Sequence, residues 1–512
     1  MGGNAEASGP DFSKGVNAAD LPEGSTLAGR VGEEAVLLSR FDGEFFAVSG
    51  ACTHYGGALG EGVSHGESVR CPLHHACFSL RTGEVYRAPA LDPLDRWNVE
   101  KDGDRLFVRK KLSQALTPAE AQTSDVKSIV IIGGGAAGLA CANELRKLGY
   151  AGAITMLSAD QDPPCDRPNL SKDYLAGTAP EEWIPLRQED WYRDNRIELR
   201  LGTEVNRIDT EERMVECASG EQIRFHRLLL ATGAEPNRLS SPGFDRENVF
   251  TLRSLAHARA IVDHAREGAR AVVIGSSFIG LEAAASLRKR GVEVDVVAPE
   301  EVPFEKALGR ELGTFFKGLH EENGVRFHLG CTASSFDGGS VEISSGDRVA
   351  ADFVLVGIGV RPRIALAETA GLATGNGVQV DCFLETSSPG IYAAGDIAAY
   401  PDPFTGEPTR IEHWVVAGRQ GQVAAANMLG KKTAFDSAPF FWTEQYGLTL
   451  RYVGHASQPD EVHVEGDLDS GRAAVHFRQG GRHRATATLD RDRENLEAEL
   501  ELESAREPAC AS

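Results

Sequence analysis

Residues 129–140 read IVIIGGGAAGLA, and this short stretch decides the fold of the larger part of the chain. An apolar run is followed by Gly133, Gly135 and Gly138, and then by an alanine-rich segment with helical periodicity. In that setting the first glycine permits a tight turn, the second admits a pyrophosphate, and the third lets helix and strand pack closely. Asp160 ends the next apolar run, where a carboxylate can accept a hydrogen bond from a ribose hydroxyl. The stretch therefore predicts a strand, a turn and a helix that bind a dinucleotide.

The pattern recurs at residues 270–291, RAVVIGSSFIGLEAAASLRKRG, so a second dinucleotide site is expected. Gly275 and Gly280 keep the outer glycine positions, and Ser277 replaces the middle one. Serine is small enough for a phosphate loop, although a structural repeat that has lost its ligand is the alternative. Glu300 ends the next predicted strand, where an acid suits the free 2′-hydroxyl of NAD and repels the 2′-phosphate of NADP. We therefore expect NADH as the nucleotide of this site.

The composition limits the class of protein. The chain has 512 residues, 41% of them hydrophobic, which is too long for one core and enough for three or four domains. A formal charge of -22 argues against nucleic acid or an anionic membrane as a partner, since both favour a basic face. The opening MGGNAEASGPDFSKGV lacks the pattern of a secretory signal, and glycines interrupt the most apolar segment. A cytoplasmic protein without a membrane span is expected.

A cysteine and histidine motif distinguishes the amino-terminal part. Residues 52–78, CTHYGGALGEGVSHGESVRCPLHHACF, place Cys52 and His54 in one loop and Cys71 and His74 in another. A zinc site, the first alternative, usually groups its cysteines on one knuckle and its histidines on another. A Rieske [2Fe-2S] centre holds one iron by two cysteines and the other by two histidines, so each loop that spans both irons supplies one of each. The pattern favours the Rieske centre over zinc and over a surface cluster without a ligand.

The segments CTHYGGAL and CPLHHACF also resemble the two ligand loops of the Rieske family. High-potential members of that family join the loops by a disulfide at positions that correspond here to Gly57 and Leu73, and place a hydroxyl where this chain has Ala76. The resemblance therefore implies a potential near the bottom of the Rieske range of about -150 to +300 mV. Three neighbours have no place among the four ligands and are expected to be two loop histidines and a packed thiol: His65, His75 and Cys77.

Two further segments resemble the flavoproteins with two dinucleotide-binding domains. These are RLLLATGAEP, with Ala231, Thr232 and Gly233, and GIYAAGDIAAY, with Asp396. In that superfamily the first fold and the GD strand hold FAD, and the inserted fold holds nicotinamide. Asp396 would then accept from the flavin ribitol, with helix capping as the alternative. The resemblance implies FAD contacts at Gly133, Gly135, Gly138, Asp160, Arg167, Lys172, Ala231, Thr232, Gly233, Asp396 and Trp414, and NAD contacts at Gly275, Ser277, Gly280, Glu282, Glu300 and Gly359.

The segments PPCDRPNLSK, RIEHWVVAGRQ and PFFWTEQYG resemble ferredoxin reductases and apoptosis-inducing-factor-like oxidoreductases, in particular members fused to a Rieske domain. By that resemblance the candidate catalytic residues are Lys172 beside the flavin N5, Trp414 against the ring system and Glu282 near the nicotinamide amide. The residues alone leave three alternatives open: a surface charge for Lys172, a core aromatic for Trp414 and a first-turn helix acid for Glu282. The chain lacks the CxxxxC pair of disulfide reductases, so flavin electrons must leave by another route.

The expected fold class is multidomain: an all-β Rieske domain, two Rossmann-like α/β domains and an α+β C-terminal domain. The polar stretch SQALTPAEAQTSD predicts an exposed linker, and the charged segment 490–505, DRDRENLEAELELESA, is expected to present a solvated face. The expected boundaries are 17–110 for the Rieske domain, 111–125 for the linker, 126–243 with 362–433 for the FAD-binding domain, 244–361 for the NAD-binding domain and 434–505 for the C-terminal domain.

Together these motifs predict an FAD-dependent NAD(P)H oxidoreductase of ferredoxin reductase type with FAD, NAD(H) and a [2Fe-2S] cluster. NADH delivers electrons as a hydride and the cluster accepts them singly, and flavin can do both. The expected activity is electron transfer from NADH through FAD and the cluster to an external acceptor such as an oxygenase or a cytochrome. Two alternatives remain open: an NADH-responsive redox sensor of apoptosis-inducing-factor type, and an electron-supply component of a hydroxylating oxygenase system. A monomer or a homodimer is expected.

Overall fold

The computed structural model describes residues 7–112 and 125–506, and its amino-terminal domain consists of two antiparallel sheets. Short β-branched and aromatic runs between glycine turns form its strands: β1 Val16–Asn17, β2 Thr26–Val31, β3 Glu34–Phe41, β4 Glu44–Ser49, β5 Val63–His65, β6 Ser68–Arg70, β7 Cys77–Ser79, β8 Val85–Arg87, β9 Arg96–Asp102 and β10 Arg105–Leu112. The six-stranded sheet has the order β1-β10-β9-β4-β3-β2, and the second sheet has the order β5-β6-β7-β8. The loops before β5 and between β6 and β7 carry the cysteine and histidine motif.

The edges of this domain differ from the sequence-based boundaries. Phe12 is fully buried in the core of the six-stranded sheet, so the domain begins before residue 17. Lys111 and Leu112 belong to β10, where they pair with β9, so the domain also extends past residue 110. The rest of the linker expected at 111–125 falls outside the described residues, except for Asp125.

The first α/β domain begins with the strand and helix of the glycine motif. Its first half contains β11 Ser128–Ile132, α1 Ala136–Lys147, β12 Ala153–Leu157, α2 Arg167–Leu170, α3 Asp173–Ala176, α4 Glu189–Asp194, β13 Ile197–Arg200, β14 Val205–Asp209, β15 Met214–Cys217, β16 Gln222–Arg224, β17 Arg227–Leu230 and β18 Ala234–Pro236. β11 is apolar on both faces, because one face packs against α1 and the other against Ile208 of β14 and Val215 of β15.

A second α/β domain is inserted after β18. It contains β19 Val249–Phe250, α5 Leu255–His264, β20 Arg270–Ile274, α6 Phe278–Lys289, β21 Glu293–Ala298, α7 Glu305–Glu322, β22 Val325–Leu329, β23 Ala333–Phe336, β24 Ser340–Ile343, β25 Arg348–Ala350 and β26 Phe353–Val356. Its parallel sheet has the order β19-β26-β20-β21-β22, and β23, β24 and β25 form a small antiparallel sheet. The repeated strand, turn and helix pattern of the sequence thus corresponds to two copies of one fold.

The chain then returns to the first α/β domain. The returning half contains β27 Val360–Pro362, α8 Ala365–Thr369, β28 Thr374–Gly375, β29 Gly377–Gln379, β30 Ile391–Ala393, β31 Ala398–Pro401, β32 Pro408–Thr409 and α9 Trp414–Met428. β30 completes the parallel sheet β13-β12-β11-β17-β30, and β27 pairs with β18 in a two-stranded antiparallel ribbon. The inserted domain is therefore entered and left through one ribbon.

The C-terminal domain is a five-stranded antiparallel sheet with one long helix. Its elements are β33 Phe440–Gln445, β34 Leu448–Gly454, β35 Glu461–Asp467, β36 Arg472–Gln479, β37 Arg482–Leu489 and α10 Asp492–Ser504. The expectation of a solvated face for segment 490–505 is wrong for half of the helix, because α10 buries Asn495, Leu496, Ala498, Glu499, Leu502 and Glu503. The multidomain fold class is confirmed. No helix in the described part of the chain is long and apolar enough to span a membrane.

Helices α1 and α9 of the first α/β domain pack backbone against backbone. A Cβ atom on Gly421 of α9 would lie 2.2 Å from the carbonyl oxygen of Ala137 in α1. Gly318 of α7 is a contrasting helical glycine, because a Cβ there would meet no atom within 4 Å. The first glycine is thus required by packing and the second is not.

We predict opposite effects for alanine at these two positions. Gly421→Ala forces the helices apart and should destabilise the protein by about 1–3 kcal/mol, the usual cost of overpacking. Gly318→Ala should stabilise it by about 0.5–1 kcal/mol, because alanine loses less backbone entropy in a helix. The midpoints of urea unfolding of the two variants measure this contrast. A Gly421→Ala midpoint equal to or above that of the unchanged protein would contradict the packing argument.

Candidate functional site

The two cysteine and histidine loops are closed by matching backbone hydrogen bonds. The N–H of Cys52 donates to the carbonyl of Gly57, and the N–H of Cys71 donates to the carbonyl of Ala76, each at 2.9 Å. Each loop therefore turns back on itself over the same number of residues, with its cysteine at the start. This shared conformation places the thiol and the imidazole of each loop near those of the other.

The four predicted ligands form two donor pairs. The side chains of Cys52 and Cys71 hydrogen-bond to each other, and Nδ1 of His54 lies 3.2 Å from Nδ1 of His74. Within residues 7–112 and 125–506, no three His, Cys, Asp or Glu side chains are grouped as the ligands of a single metal ion. A zinc ion would need all four donors around one centre, whereas a Rieske cluster takes a pair of thiols and a pair of imidazoles. The donor set fits a [2Fe-2S] cluster.

Burial controls the protonation of these ligands. It lowers the pKa of His54 to about 3 and the pKa of His74 well below its ordinary value. Both imidazoles are therefore neutral near pH 7 and keep a lone pair for a metal. In the thiol pair, the mutual hydrogen bond raises the pKa of Cys52 and lowers the pKa of Cys71, because the Cys71 sulfur accepts the shared proton.

Gly57 touches the second ligand loop. A Cβ atom at Gly57 would lie 2.8 Å from Sγ of Cys71 and 2.9 Å from Cδ1 of Leu73. Gly57 and Leu73 are the positions that correspond to the additional disulfide of high-potential Rieske proteins, and they are neighbours here without a thiol. Ala76 is fully buried and provides no hydroxyl.

The first glycine motif forms a cradle for a phosphate. A Cβ on Gly133 would lie 2.1 Å from the carbonyl oxygen of Ala231, and one on Gly138 would lie 2.1 Å from that of Gly133. A Cβ on Gly135 would meet no atom within 4 Å. Since Gly135 is the N-cap of α1, this open space lies beside the free N–H groups of the helix, where an anion binds. The cradle fits the dinucleotide predicted for this domain.

Charged side chains lie close together at the same site. Nη2 of Arg167 lies 3.4 Å from Oδ2 of Asp160, and Nη2 of Arg253 lies 2.5 Å from Oδ2 of Asp396. The charges of Arg253, Asp160 and Asp396 all act on Arg167, so the four groups form one cluster. Helix capping would require a helix directly after Asp396. The strand β31 follows instead, so the capping alternative is wrong. Arginines and carboxylates together can bind the phosphates and hydroxyls of a dinucleotide. None of the motifs in the sequence includes Arg253.

The loop after β17 lies beside this charged cluster. Oγ1 of Thr232 lies 3.3 Å from the carbonyl oxygen of Arg363, and the N–H of Arg363 donates to the carbonyl of Gly233 at 3.0 Å. Gly233 has a φ of 67°, the left-handed conformation that favours glycine. These bonds join the two halves of the first α/β domain next to the predicted FAD site.

The second glycine motif repeats the cradle in the inserted domain. Cβ atoms on Gly275 and Gly280 would lie 2.3 Å from the carbonyl oxygens of Gly357 and Gly275, so neither position admits a side chain. Ser277 is the N-cap of α6, and its Oγ lies 3.4 Å from the carbonyl oxygen of Gly357. The middle position thus tolerates a small polar residue, and the backbone shape of the phosphate loop is kept.

Glu300 follows β21, at the carboxyl end of the inserted sheet. Its Oε1 lies 3.1 Å from Nζ of Lys306, and its side chain is 21% exposed. Gly359 follows β26, the neighbour of β20 in the sheet, and its carbonyl accepts the N–H of Asn237 at 3.0 Å. In open α/β sheets ligands bind at the carboxyl ends of the strands, so both residues are placed where a nucleotide would lie.

Lys172 and Glu282 form a buried ion pair between the two α/β domains. Nζ of Lys172 lies 2.7 Å from Oε2 of Glu282, and the side chains are only 15% and 4% exposed. The Ser171 hydroxyl donates to the same carboxylate oxygen. The surface-charge alternative for Lys172 is therefore wrong. Glu282 is the fifth residue of α6, past the first turn, so the first-turn alternative is also wrong.

Trp414 begins α9 and lines a small cavity between the first α/β domain and the amino-terminal domain. His54, Pro89 and Leu139 line the same cavity. Because Trp414 is half-buried and faces this cavity, it is not a simple core aromatic. It lies near a predicted cluster ligand as well as near α1 of the predicted FAD site.

Trp442 belongs to the segment PFFWTEQYG, but the sequence predicts no role for this residue. The rings of His74 and Trp442 lie 3.9 Å apart between centroids, and Nζ of Lys172 lies 5.9 Å from the centroid of Trp442. The only signal in the sequence is an aromatic residue in an alternating strand. Its partners come from two other domains, so the contact is a result of domain docking.

A second aromatic contact joins the amino-terminal domain to the first α/β domain. Tyr55 stacks on His54 with centroids 4.1 Å apart, and its hydroxyl donates to Asp166. Burial raises the pKa of Asp166 to about 7. Asp166 directly precedes Arg167 of the predicted FAD site. Both predicted imidazole ligands are thus in contact with aromatic side chains that lead to the reductase part of the chain.

The three residues outside the ligand set differ from one another. Cys77 is a buried thiol, as expected, whereas His65 is exposed but belongs to β5 and not to a loop. The expectation of an ordinary loop histidine is wrong for His75, which is fully buried with its Nδ1 3.1 Å from Oε2 of Glu499 in α10.

Comparisons with known proteins agree with this architecture. Family models match residues 13–98 as a Rieske [2Fe-2S] domain, residues 127–421 as a pyridine nucleotide-disulphide oxidoreductase and residues 440–511 as a reductase C-terminal domain. Apoptosis-inducing factor 3 of Homo sapiens is 34% identical over 493 residues, which cover 92% of this chain and 81% of that protein.

Two reductases are also similar to a large part of the chain. The ferredoxin–NAD(+) reductase component of the anthranilate 1,2-dioxygenase system of Burkholderia cepacia is 37% identical over 363 residues, covering 70% of this chain and 89% of that protein. A crystal structure of the covalent putidaredoxin reductase–putidaredoxin complex matches with a TM-score of 0.72 and 33% identity, over 75% of this chain and 94% of that chain. The chain therefore belongs to the pyridine nucleotide-disulphide oxidoreductase family, whose members bind FAD and NAD(H), and it carries a Rieske [2Fe-2S] domain at its amino-terminal side.

Proposed function

We propose that the protein is an NADH-dependent reductase that passes electrons from NADH through FAD to its own Rieske cluster and on to an external acceptor. The observation that carries this proposal is the contact of His74 with Trp442, whose ring also lies 5.9 Å from Nζ of Lys172. A predicted cluster ligand and a predicted neighbour of the flavin therefore meet at one aromatic side chain. This arrangement supports electron transfer within the chain.

The residues of the chain bind, orient and shield the reacting groups. FAD, when bound, takes a hydride from NADH and gives up electrons singly, which matches a two-electron donor to a one-electron cluster. The glycine cradles would hold the pyrophosphates, and Glu282 holds the Lys172 ammonium in a site that water hardly reaches. In such a site the positive charge of Lys172 stabilises negative charge that develops nearby. A [2Fe-2S] cluster held by Cys52, His54, Cys71 and His74 would supply transfer of one electron at a time to the acceptor.

The acceptor that we propose is a ferredoxin, a cytochrome or a terminal component of an oxygenase system. The similarity to a reductase component of a dioxygenase system supports this class of acceptor. A redox sensor that responds to NADH is the second candidate, because the similarity to apoptosis-inducing factor 3 covers 92% of the chain and therefore extends into the Rieske domain. Rapid turnover with an added one-electron acceptor favours the reductase, and a stable reduced state without turnover favours the sensor.

Anaerobic titration of the holoprotein with NADH is the direct test of the relay. We expect the flavin absorbance to bleach and the electron paramagnetic resonance signal of a reduced Rieske cluster to appear in the same titration, because His74 touches Trp442. Reduction with dithionite serves as the control that the cluster is present. Bleached flavin beside a cluster that only dithionite reduces would refute the relay and favour the sensor.

Replacement of Lys172 tests its role at the flavin. Lys172→Met removes the buried cation and leaves Glu282 without its partner, so flavin reduction by NADH should slow by about 100-fold, the effect typical of losing one electrostatic contact. Stopped-flow absorbance of the flavin measures this rate. Lys289→Met changes an exposed lysine of the same helix that carries Glu282, and should leave the rate unchanged. Equal rates in the two variants would remove Lys172 from the mechanism.

Replacement of Glu300 tests the choice of nucleotide. We expect the unchanged protein to prefer NADH to NADPH. Glu300→Gln should lower that preference by about tenfold, because about 1.4 kcal/mol of repulsion between the Glu300 carboxylate and the 2′-phosphate of NADPH is lost. The ratio of kcat/KM for the two nucleotides, with ferricyanide as acceptor, measures the preference. Glu301→Gln changes the neighbouring acid, whose side chain is 73% exposed, and should leave the ratio unchanged. Similar turnover of both nucleotides by the unchanged protein would contradict the role of Glu300.

A further inference from the structure

Helix α10 of the C-terminal domain carries two acids that solvent hardly reaches. The side chain of Glu499 is 0% exposed and that of Glu503 is 6% exposed. A buried carboxylate is costly unless cations and hydrogen bonds replace the lost water. Here the compensating groups come from other domains. The resulting α10 ion cluster consists of Glu499, Glu503, Arg70, His75, Arg87 and Arg419.

Glu499 is the centre of the α10 ion cluster. Its Oε2 lies 2.6 Å from Nη1 of Arg70 and 3.1 Å from Nδ1 of His75, and its Oε1 lies 2.8 Å from Nη1 of Arg419. Burial acts to raise the pKa of Glu499, but Arg419, His75 and Arg70 outweigh burial and hold this pKa well below its usual range. The carboxylate is therefore ionised, and it receives donors from two other domains.

The α10 ion cluster joins three domains. Arg70 and Arg87 come from β6 and β8 of the amino-terminal domain, and both pair with Glu503, with Nη2 of Arg70 at 2.7 Å. Arg419 comes from α9 of the first α/β domain and is 2% exposed. The acids of the C-terminal domain thus neutralise cations that the other two domains would otherwise leave buried at the interface.

His75 connects the α10 ion cluster to the predicted cluster ligand His74. The ring of His75 stacks on Phe440 with centroids 3.8 Å apart, and its carbonyl accepts Nη2 of Arg419 at 3.0 Å. Phe440 lies two positions before Trp442 in β33, so the two aromatic rings project from the same face of the strand. The rings of His74 and Trp442 lie 3.9 Å apart. The α10 ion cluster therefore holds the loop that places His74 on Trp442.

We propose that Glu499 and Glu503 are positioning residues for electron transfer, because they dock the Rieske domain with His74 against Trp442. This inference rests on the proposed relay. The step that they control is the passage of one electron from reduced flavin to the oxidised cluster, and the preceding hydride transfer from NADH to flavin does not involve them. Electron transfer slows steeply with distance, so looser docking slows the second step alone.

The test compares Glu499→Gln with Glu497→Gln in the full-length holoprotein. Glu499→Gln keeps the size of the side chain but removes the charge that neutralises the buried cations. Glu497 lies on the outer face of the same helix, 53% exposed and paired with Arg493, and serves as the matched control. After anaerobic mixing with NADH, flavin should bleach at the unchanged rate in both variants. Cluster reduction should be about tenfold slower or more in Glu499→Gln, as expected for a small misplacement, and unchanged in Glu497→Gln.

Cluster reduction at the unchanged rate in Glu499→Gln overturns the proposal. The paramagnetic resonance spectrum of the dithionite-reduced variant separates docking from damage to the centre. An unaltered spectrum together with slow reduction by NADH supports positioning. An altered spectrum shows that the substitution disturbs the centre itself, and the positioning role is then overturned.

Hydrogen exchange tests docking without any electron transfer. In oxidised holoprotein, the amides of residues 71–79 and 492–504 should exchange faster in Glu499→Gln than in Glu497→Gln, and equal exchange overturns the docking contact. If NADH fails to reduce the cluster of the unchanged protein, the relay is refuted and the electron-transfer role with it. Faster exchange would still establish the docking contact in that case.

If Glu499→Gln does not fold, a milder variant tests the same proposal. Arg87→Gln removes a cation at the edge of the α10 ion cluster, where the side chain is 25% exposed. Like Glu499→Gln, it should slow cluster reduction and speed up hydrogen exchange, but by smaller amounts. Unchanged values of both in a folded Arg87→Gln protein would overturn the proposal.

Discussion

The contact between the rings of His74 and Trp442 is the interaction on which the proposed electron transfer in this chain depends. His74 belongs to a loop of the amino-terminal domain, Trp442 to the first strand of the C-terminal domain, and Lys172, above the same ring, to the first α/β domain. None of the three domains can form this contact alone. The function of the chain therefore depends on how the domains dock as much as on how each one folds.

Apolar burial and paired charges play different parts in this assembly. The cores are apolar, as in β11, whose residues 129–132 are all buried, and apolar burial stabilises without fixing a direction. Apolar packing also crosses a domain boundary, because Phe316 of the inserted domain and Leu450 of the C-terminal domain belong to one buried cluster. The surfaces between domains carry paired charges as well, such as Lys172 with Glu282 and Arg70 with Glu499. A further pair is bidentate, with both terminal nitrogens of Arg187 at 2.8 Å from the carboxylate of Asp92. Such bonds have fixed geometry, so they determine the orientation of the domains.

The sequence predicts what depends on neighbouring residues and misses what depends on distant ones. The cradle at Gly133, Gly135 and Gly138 follows from a strand, a turn and a helix that are continuous in the chain. The ligand loops are likewise local, and their pairing follows from the chemistry of two irons. From the sequence, Glu499 is predicted to be a solvated acid. The cations that pair with Glu499 lie in other domains, and no local pattern of residues reveals these cations. The contacts of Trp442 are not predicted from the sequence for the same reason.

The burial of His74, which is 7% exposed, has a consequence for the choice of electron carrier. The surface around Trp442 and Lys172 is already covered by a domain of the same chain, whose local concentration does not fall on dilution. A freely diffusing ferredoxin could reach this surface only by displacing that attached competitor. Covalent linkage thus supplies the local concentration that separate proteins obtain through affinity, while the paired charges still set the orientation. Together they would shield the predicted flavin site from foreign carriers.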